Sequence, residues 1–346
     1  MFKNLKVVEL ASVLAGPLTG TFFAELGAEV IKIENKLTHG DVTRTWKLPT
    51  ESKENSISAY YSAANFSKES LLLNVKDTAD YEILINHIKE ADIIITNYKP
   101  STARKLKLSY DDLKKYNPSL IFAELTGFGG DDSRPAFDVV LQAETGFMYM
   151  NGEPKRKPVK MPVALIDILA AHHLKEAILC AMINKLKTGE GKHIKISLYE
   201  SAIASLANQA TNWLMEKHIP QPMGTQHPNI APYGDMYTTK DGKLLVLAIG
   251  SDKQFENLCA LLNLDGKIFK TNAQRLALRD TLNDRISERL EQEASAYWIS
   301  KLEENNIPYG MVKNMQDVFE DKKAKKMLLN EVIEGTETVR VKTALV

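Results

Sequence analysis

Apolar residues recur with two periods along the chain. Short runs at 5–10, 29–34, 70–76, 91–97, 119–125 and 193–198 read as strands, bounded by glycine, proline or polar residues. Stretches near 17–26, 78–89, 139–150 and 162–187 read as helices. The 91–97 run has an unbroken apolar centre, Ile93-Ile94-Ile95, as a parallel strand covered on both faces requires. Alternating strands and helices predict an α/β domain. Pro17 suits a first helical position, and Gly27 and Gly189 suit helix stops.

A helix over 200–218 leads to Ile219-Pro220-Gln221-Pro222-Met223-Gly224, marked as a linker by its prolines and glycine. Beyond it, 233–249 reads as a hairpin turning at Asp241-Gly242, followed by helices over 251–264 and 276–304. These form a second, smaller domain. The segment 315–327 reads as helical and 339–346 as a short final strand.

Composition narrows the class. Lys and Arg together number 44, as do Asp and Glu, so no global field attracts nucleic acid or an acidic membrane. Cys180 and Cys259 lie in apolar helical patterns and are expected to be buried as small hydrophobes. No disulfide framework is implied, which fits a reducing cytoplasm. Met1-Phe2-Lys3-Asn4 enters a strand directly, and no apolar run is long enough to span a bilayer. The expectation is a cytoplasmic protein without a signal peptide.

Candidate chemistry begins at the opening strand–helix–strand unit, which imitates half of a dinucleotide-binding fold. Its turn offers only Gly16 and Gly20, short of G-x-G-x-x-G, and Glu34 holds the ribose-binding position. A nicotinamide-dependent oxidoreductase is therefore an alternative with its glycines missing. The polar loop 38–58, with Gly40-Asp41 and Arg44, is long enough to suspect function. Asn97, Lys99, Arg104 and Lys105 follow a strand's carboxyl end, where a phosphate-rich ligand would bind; a solvated basic turn is the plainer reading. Asp167 stands alone inside Pro162-Val163-Ala164-Leu165-Ile166-Asp167-Ile168-Leu169-Ala170-Ala171. It is either the N-cap of the helix behind it or a carboxylate held for nucleophilic work. Metal chemistry has no support. There is no H-E-x-x-H or cysteine pair at ligand spacing, and His172-His173 diverge by about 100° on a helix. Neither a G-x-S-x-G elbow nor a Walker A loop occurs.

Ordered motifs over nearly the whole chain resemble the class III CoA-transferase family, which includes formyl-CoA transferase, crotonobetaine/carnitine CoA-transferase and α-methylacyl-CoA racemase. They are Val7-Val8-Glu9-Leu10 through Ala15-Gly16-Pro17, Leu26 through Glu34, Gly40-Asp41-Val42-Thr43-Arg44, Ala91-Asp92 through Asn97, and Thr126-Gly127-Phe128-Gly129. The most telling are Phe137-Asp138-x-x-x-Gln142-Ala143-x-x-Gly146, Thr188-Gly189-x-Gly191 and His227-Pro228-Asn229-Ile230-Ala231-Pro232-Tyr233.

The resemblance implies a Rossmann-like large domain (1–200), a linker helix and loop (201–225), a small α+β domain (226–314), a C-terminal return (315–346), and an interlocked-ring homodimer. It makes Asp167 the nucleophile, which would form a mixed anhydride and then an aspartyl-CoA thioester while CoA passes from an acyl-CoA donor to a carboxylic acid acceptor. Coenzyme A enters as substrate, with no metal. CoA-binding positions carry over as Leu14 and Ala15 (by backbone), Lys36 in place of a basic residue at Asn35, Asn74, Lys76, Asn97, Tyr98, Lys99, and Lys105 with Arg104. Asp138 matches an acid lining the site. Gly224-Thr225-Gln226 stands where the family has a glycine-rich oxyanion loop, here with one glycine. The racemase alternative uses a His where this chain has Phe137, which cannot shuttle a proton. Arg44 and the basic loop residues are candidates to hold the second carboxylate of a dicarboxylic acid.

Overall fold

The computed structural model describes residues 1–130, 132 and 134–346. Six strands form one parallel sheet: β1 (Lys6–Leu10), β2 (Glu29–Asn35), β3 (Glu69–Leu73), β4 (Ile93–Thr96), β5 (Ile121–Thr126) and β6 (Lys192–Ser197). Their order is β3-β2-β1-β4-β5-β6, the doubly wound arrangement, with its reversal between β1 and β4. One face buries Val7, Val30, Ile93, Ile95 and Ala123 against the helices Ala15–Glu25 and Leu165–Thr188. The other buries Val8, Ile31, Ile94 and Phe122 against the helix Thr78–Glu90. Alternate residues of each strand feed opposite cores, which is why the runs read as continuously apolar.

The chain divides into two compact units. The first comprises 1–148, 160–220 and 326–346; the second comprises 149–159 and 221–325. The expected boundaries fell at 225/226 and 314/315, and assigned 149–159 to the large domain. The second unit holds an antiparallel sheet, β7 (Tyr233–Thr238), β8 (Leu244–Ala248) and β9 (Tyr309–Met311), over a core of Tyr237, Leu245, Leu247, Phe255, Leu258, Ile286 and Trp298.

Several elements differ from the sequence reading. The helix expected over 139–150 is Asp138–Glu144. The helix over 200–218 is two, Leu198–Ala204 and Ala207–Glu216. The opening helix starts at Ala15, so Pro17 is its third residue. The C-terminal strand is the second half of a hairpin, β10 (Leu328–Ile333) and β11 (Thr336–Val341), whose turn puts Glu334 and Gly335 at positive φ. Glu334-Gly335 is a poor match to the Asn-Gly or Asp-Gly turn signal, so the hairpin was invisible. Cys180 is exposed on the outer side of its long helix, against the expectation of burial, while Cys259 is half-buried. Among the described residues, no helix is long and apolar enough to cross a membrane, and no group of three His, Cys, Asp or Glu side chains is arranged to hold a metal ion.

Candidate active site

Ligands of open α/β sheets bind at the carboxyl ends of the strands where the order reverses. Here Ser12–Ala15 follows β1 and Asn97–Pro100 follows β4. Both segments line a cavity of about 150 Å³ that also contains Asp167, Thr126 and Phe137. A larger cleft of about 790 Å³ is lined by Asn35, His39, Asp41, Asn74, Lys76, Thr102 and Lys105. Ser12 and Tyr98 line both spaces.

Asp167 is not the N-cap. The helix Leu165–Thr188 is preceded by Ala164, which has no capping side chain, and Asp167 occupies the third helical position. The orphan first-turn amide of Ile166 instead donates to Asp138 Oδ1 at 2.7 Å. Asp138 Oδ2 accepts from Gln142 Nε2 at 2.6 Å, and Gln142 Oε1 accepts the Met161 N–H at 2.8 Å. Asp138 thus caps the helix from a neighbouring element, leaving Asp167 without that duty. Asp167 is 8% exposed, and among the described residues it forms no ion pair. Burial, and then the charge of Asp138, push its carboxyl up to about 7 from an ordinary 3.8. A carboxyl largely removed from solvent is not stabilised in its charged form as it would be in water.

Most of the expected binding residues gather here. Leu14, Ala15, Asn97, Tyr98 and Lys99 share the cavity of Asp167; Asn74, Lys76, Tyr98 and Lys105 line the larger cleft. Asn97 uses its amide internally, donating to Ser12 O at 2.8 Å and accepting the Ser12 N–H at 3.2 Å. Lys36 is exposed with its ammonium 4.0 Å from Asp80, and Arg104 is exposed on the helix Pro100–Lys105; neither is among the described residues lining the cleft. Asp138 lies behind the wall, on the helix start. Gly224, Thr225 and Gln226 belong to the second unit, where the Gly224 N–H donates to Gly152 O (2.8 Å) and the Gln226 N–H to Met223 O (3.1 Å).

Two sequence ideas are overturned. Arg44 is no substrate anchor: it is 7% exposed, donates from Nε to Glu34 Oε2 (2.8 Å) and from Nη2 to Glu34 Oε1 (2.7 Å), and also reaches Tyr61 and Glu334. Glu34 is no ribose ligand, being only 3% exposed and bound to Arg44, Tyr61 and Ser70. Burial alone would raise Glu34; hydrogen bonds from Arg44 and Ser70 and the Arg44 charge hold it at about 2. Two residues went unnoticed in the sequence. Tyr60 is pushed up to about 12 by burial and then by the carboxylates of Asp167, Asp138 and Asp41, so it keeps its proton as a donor; its ring meets Trp46 edge-on at 5.2 Å. Arg134 lines the cavity of Asp167, stacks on Phe128 at 3.8 Å, and is paired with Asp132 and Glu144.

A profile of CoA-transferase family III matches residues 2–346. The chain belongs to CoA-transferase family III. It is 35% identical to a succinate–glutarate CoA-transferase of Agrobacterium fabrum, over 99% of this chain and 88% of that protein. It is likewise 35% identical to the human succinyl-CoA:glutarate CoA-transferase, over 92% of this chain and 73% of that one. A crystal structure of a CAIB/BAIF family protein from Brucella suis superposes with a TM-score of 0.86 at 35% identity, covering 99% of this chain and 92% of that chain.

Proposed function

We propose that this family III CoA-transferase works through Asp167 as a covalent nucleophile, and that its acids are short dicarboxylic acids. The observation that carries the reading is the buried Asp167 carboxyl, without an ion pair among the described residues, in the wall of a cavity at the switch point of the sheet, adjoining a cleft with lysines at its strand-end rim. Asp167 Oδ attacks the thioester carbonyl of the donor, the C–S bond breaks, and CoA thiolate leaves a mixed anhydride. The thiolate then attacks the aspartyl carbonyl, freeing the donor acid and forming an aspartyl-CoA thioester. The acceptor carboxylate attacks that thioester and expels the thiolate. The thiolate takes the acyl group from the second anhydride, returning Asp167 as carboxylate. Every step exchanges one acyl bond for another, so no oxidant or metal is needed.

Lys76 and Lys105 suit the phosphates of CoA, as point charges rather than bidentate partners. The amides of Leu14 and Ala15, in the wall of the Asp167 cavity, are the candidate oxyanion donors. Dicarboxylic acids are supported by the names of the relatives, which carry succinate and glutarate, and by Lys99 in the lining of the Asp167 cavity. The unit of function is a homodimer, supported by exposed Trp213, Leu214 and Met215 on the helix Ala207–Glu216. The test is transfer from succinyl-CoA to a panel of acids. Glutarate and other dicarboxylic acids are expected to turn over at least about tenfold faster than acetate or butyrate, a difference of about 1.4 kcal/mol in transition-state binding. Equal rates refute the dicarboxylic reading.

A further inference from the structure

Val13 has φ +73°, and among the described residues it is the one β-branched side chain in the left-handed region. A branched Cβ clashes there, so the turn persists only if its surroundings hold it. They do so through four consecutive backbone groups. Lys32 Nζ donates to Ala11 O at 2.7 Å. Asn97 binds both the N–H and the C=O of Ser12. The Val13 N–H donates to the Asp41 carboxylate at 3.2 Å. Asp41 is itself fixed by the Thr43 N–H (3.0 Å), Thr43 Oγ1 (2.8 Å) and Lys32 Nζ (3.1 Å), and Lys32 by Glu9 (2.9 Å). The side chains of Asp41 and Lys32 are each 1% exposed. Burying charges is costly, and glycine at position 13 would make the same turn without a tether. The chain instead sets a strained valine and a buried ion pair immediately before Leu14 and Ala15, which line the cavity of Asp167.

We propose that Asp41 is a positioning residue for CoA transfer: its carboxylate, seated on Lys32, holds the left-handed turn at Val13 and so fixes the 12–15 segment in the wall opposite the reacting acyl group. Weakening the tether lets Val13 relax toward extended backbone and carries the Leu14 and Ala15 amides out of place. A displacement of about 1 Å is enough to lose one to two orders of magnitude in rate.

The rate arm of the test rests on the transferase reading; the exchange arm does not. Wild type, Asp41→Asn, Val13→Gly and the double variant are assayed with succinyl-CoA and glutarate, and amide hydrogen exchange is followed over residues 11–16 in the same four proteins. Asp41→Asn is expected to lower kcat about tenfold with KM for succinyl-CoA nearly unchanged. In the Val13→Gly background, where no strain drives relaxation, the same substitution is expected to cost about twofold or less. Equal losses in both backgrounds overturn the proposal, because a merely structural Asp41 would not be rescued by glycine. If Asp41→Asn shows no cooperative melt, Asn97→Ala loosens the same turn from the other side and is compared in the same two backgrounds. If wild type transfers no CoA from succinyl-CoA to glutarate, the substrate reading fails. The tether is then judged by exchange alone: at least about tenfold faster exchange at Val13 in Asp41→Asn supports it, and unchanged exchange overturns it.

Discussion

Asp167 is kept from its ordinary ionisation by where the chain folds it. A carboxyl with an ordinary value of 3.8, raised to about 7, binds its proton more tightly folded than unfolded. Stability is therefore unaffected below about pH 4, falls as pH rises toward 7, and stays lower above it, by on the order of 4 kcal/mol. Asparagine imitates the protonated acid and escapes this penalty. Asp167→Asn is expected to raise Tm by several degrees at pH 8 and hardly at all at pH 4, in thermal melts at both values, while lowering kcat by about 10³-fold or more. In wild type, kcat/KM is expected to rise with pH through about 7 as the carboxylate forms. Asp138 contributes the second cause of that shift, after burial. Asp138→Asn keeps a side-chain oxygen for the Ile166 N–H but removes the charge, so the acidic limb of the pH–rate profile is expected to move to lower pH without reaching the ordinary aspartate range. A limb that stays put would contradict the assigned electrostatics.

At the scale of elements, the strands and the long Asp167 helix were legible because their apolar periods are unambiguous and each is closed by a glycine or polar stop. What was not legible depends on partners distant in sequence. Asp138 caps a helix 28 residues away. Arg44 looked like a surface cation, yet Glu34 and Glu334, 10 and 290 residues away, take it into the fold. The C-terminal hairpin owes its place to such contacts: Glu334 reaches Arg44 and Ser56, and Arg340 and Thr343 bind Glu25. Arg44→Ala leaves Glu34 buried and unpaired and is expected to cost about 3–5 kcal/mol in urea melts. Glu334→Ala removes a carboxylate that is 42% exposed and is expected to cost under about 1 kcal/mol. If the two cost the same, the ion pair with Glu34 is not what holds this corner.

For the molecule as a whole, doubly wound strand order decides where the chemistry can be. It brings the turns after β1 and β4 together at one crevice, and Asp167 arrives there on the helix between β5 and β6. Of the positions inferred from family resemblance, Leu14, Ala15, Asn74, Lys76, Asn97, Tyr98, Lys99 and Lys105 line the Asp167 cavity or the larger cleft; Lys36 and Arg104 stand off them, Asp138 lies behind the wall, and 224–226 belong to the second unit. Light scattering on the eluting protein is expected to give twice the chain mass of 38.7 kDa, with the Trp213→Glu variant shifting toward the single-chain mass. The central claim is covalent catalysis by Asp167, and the most direct measurement is a trap. The protein is incubated with succinyl-CoA, quenched with hydroxylamine or borohydride, and digested for mass spectrometry. The expected result is a hydroxamate or an alcohol at Asp167 in wild type and none in Asp167→Asn. Transfer of CoA to glutarate with Asp167 unmodified throughout would contradict the account.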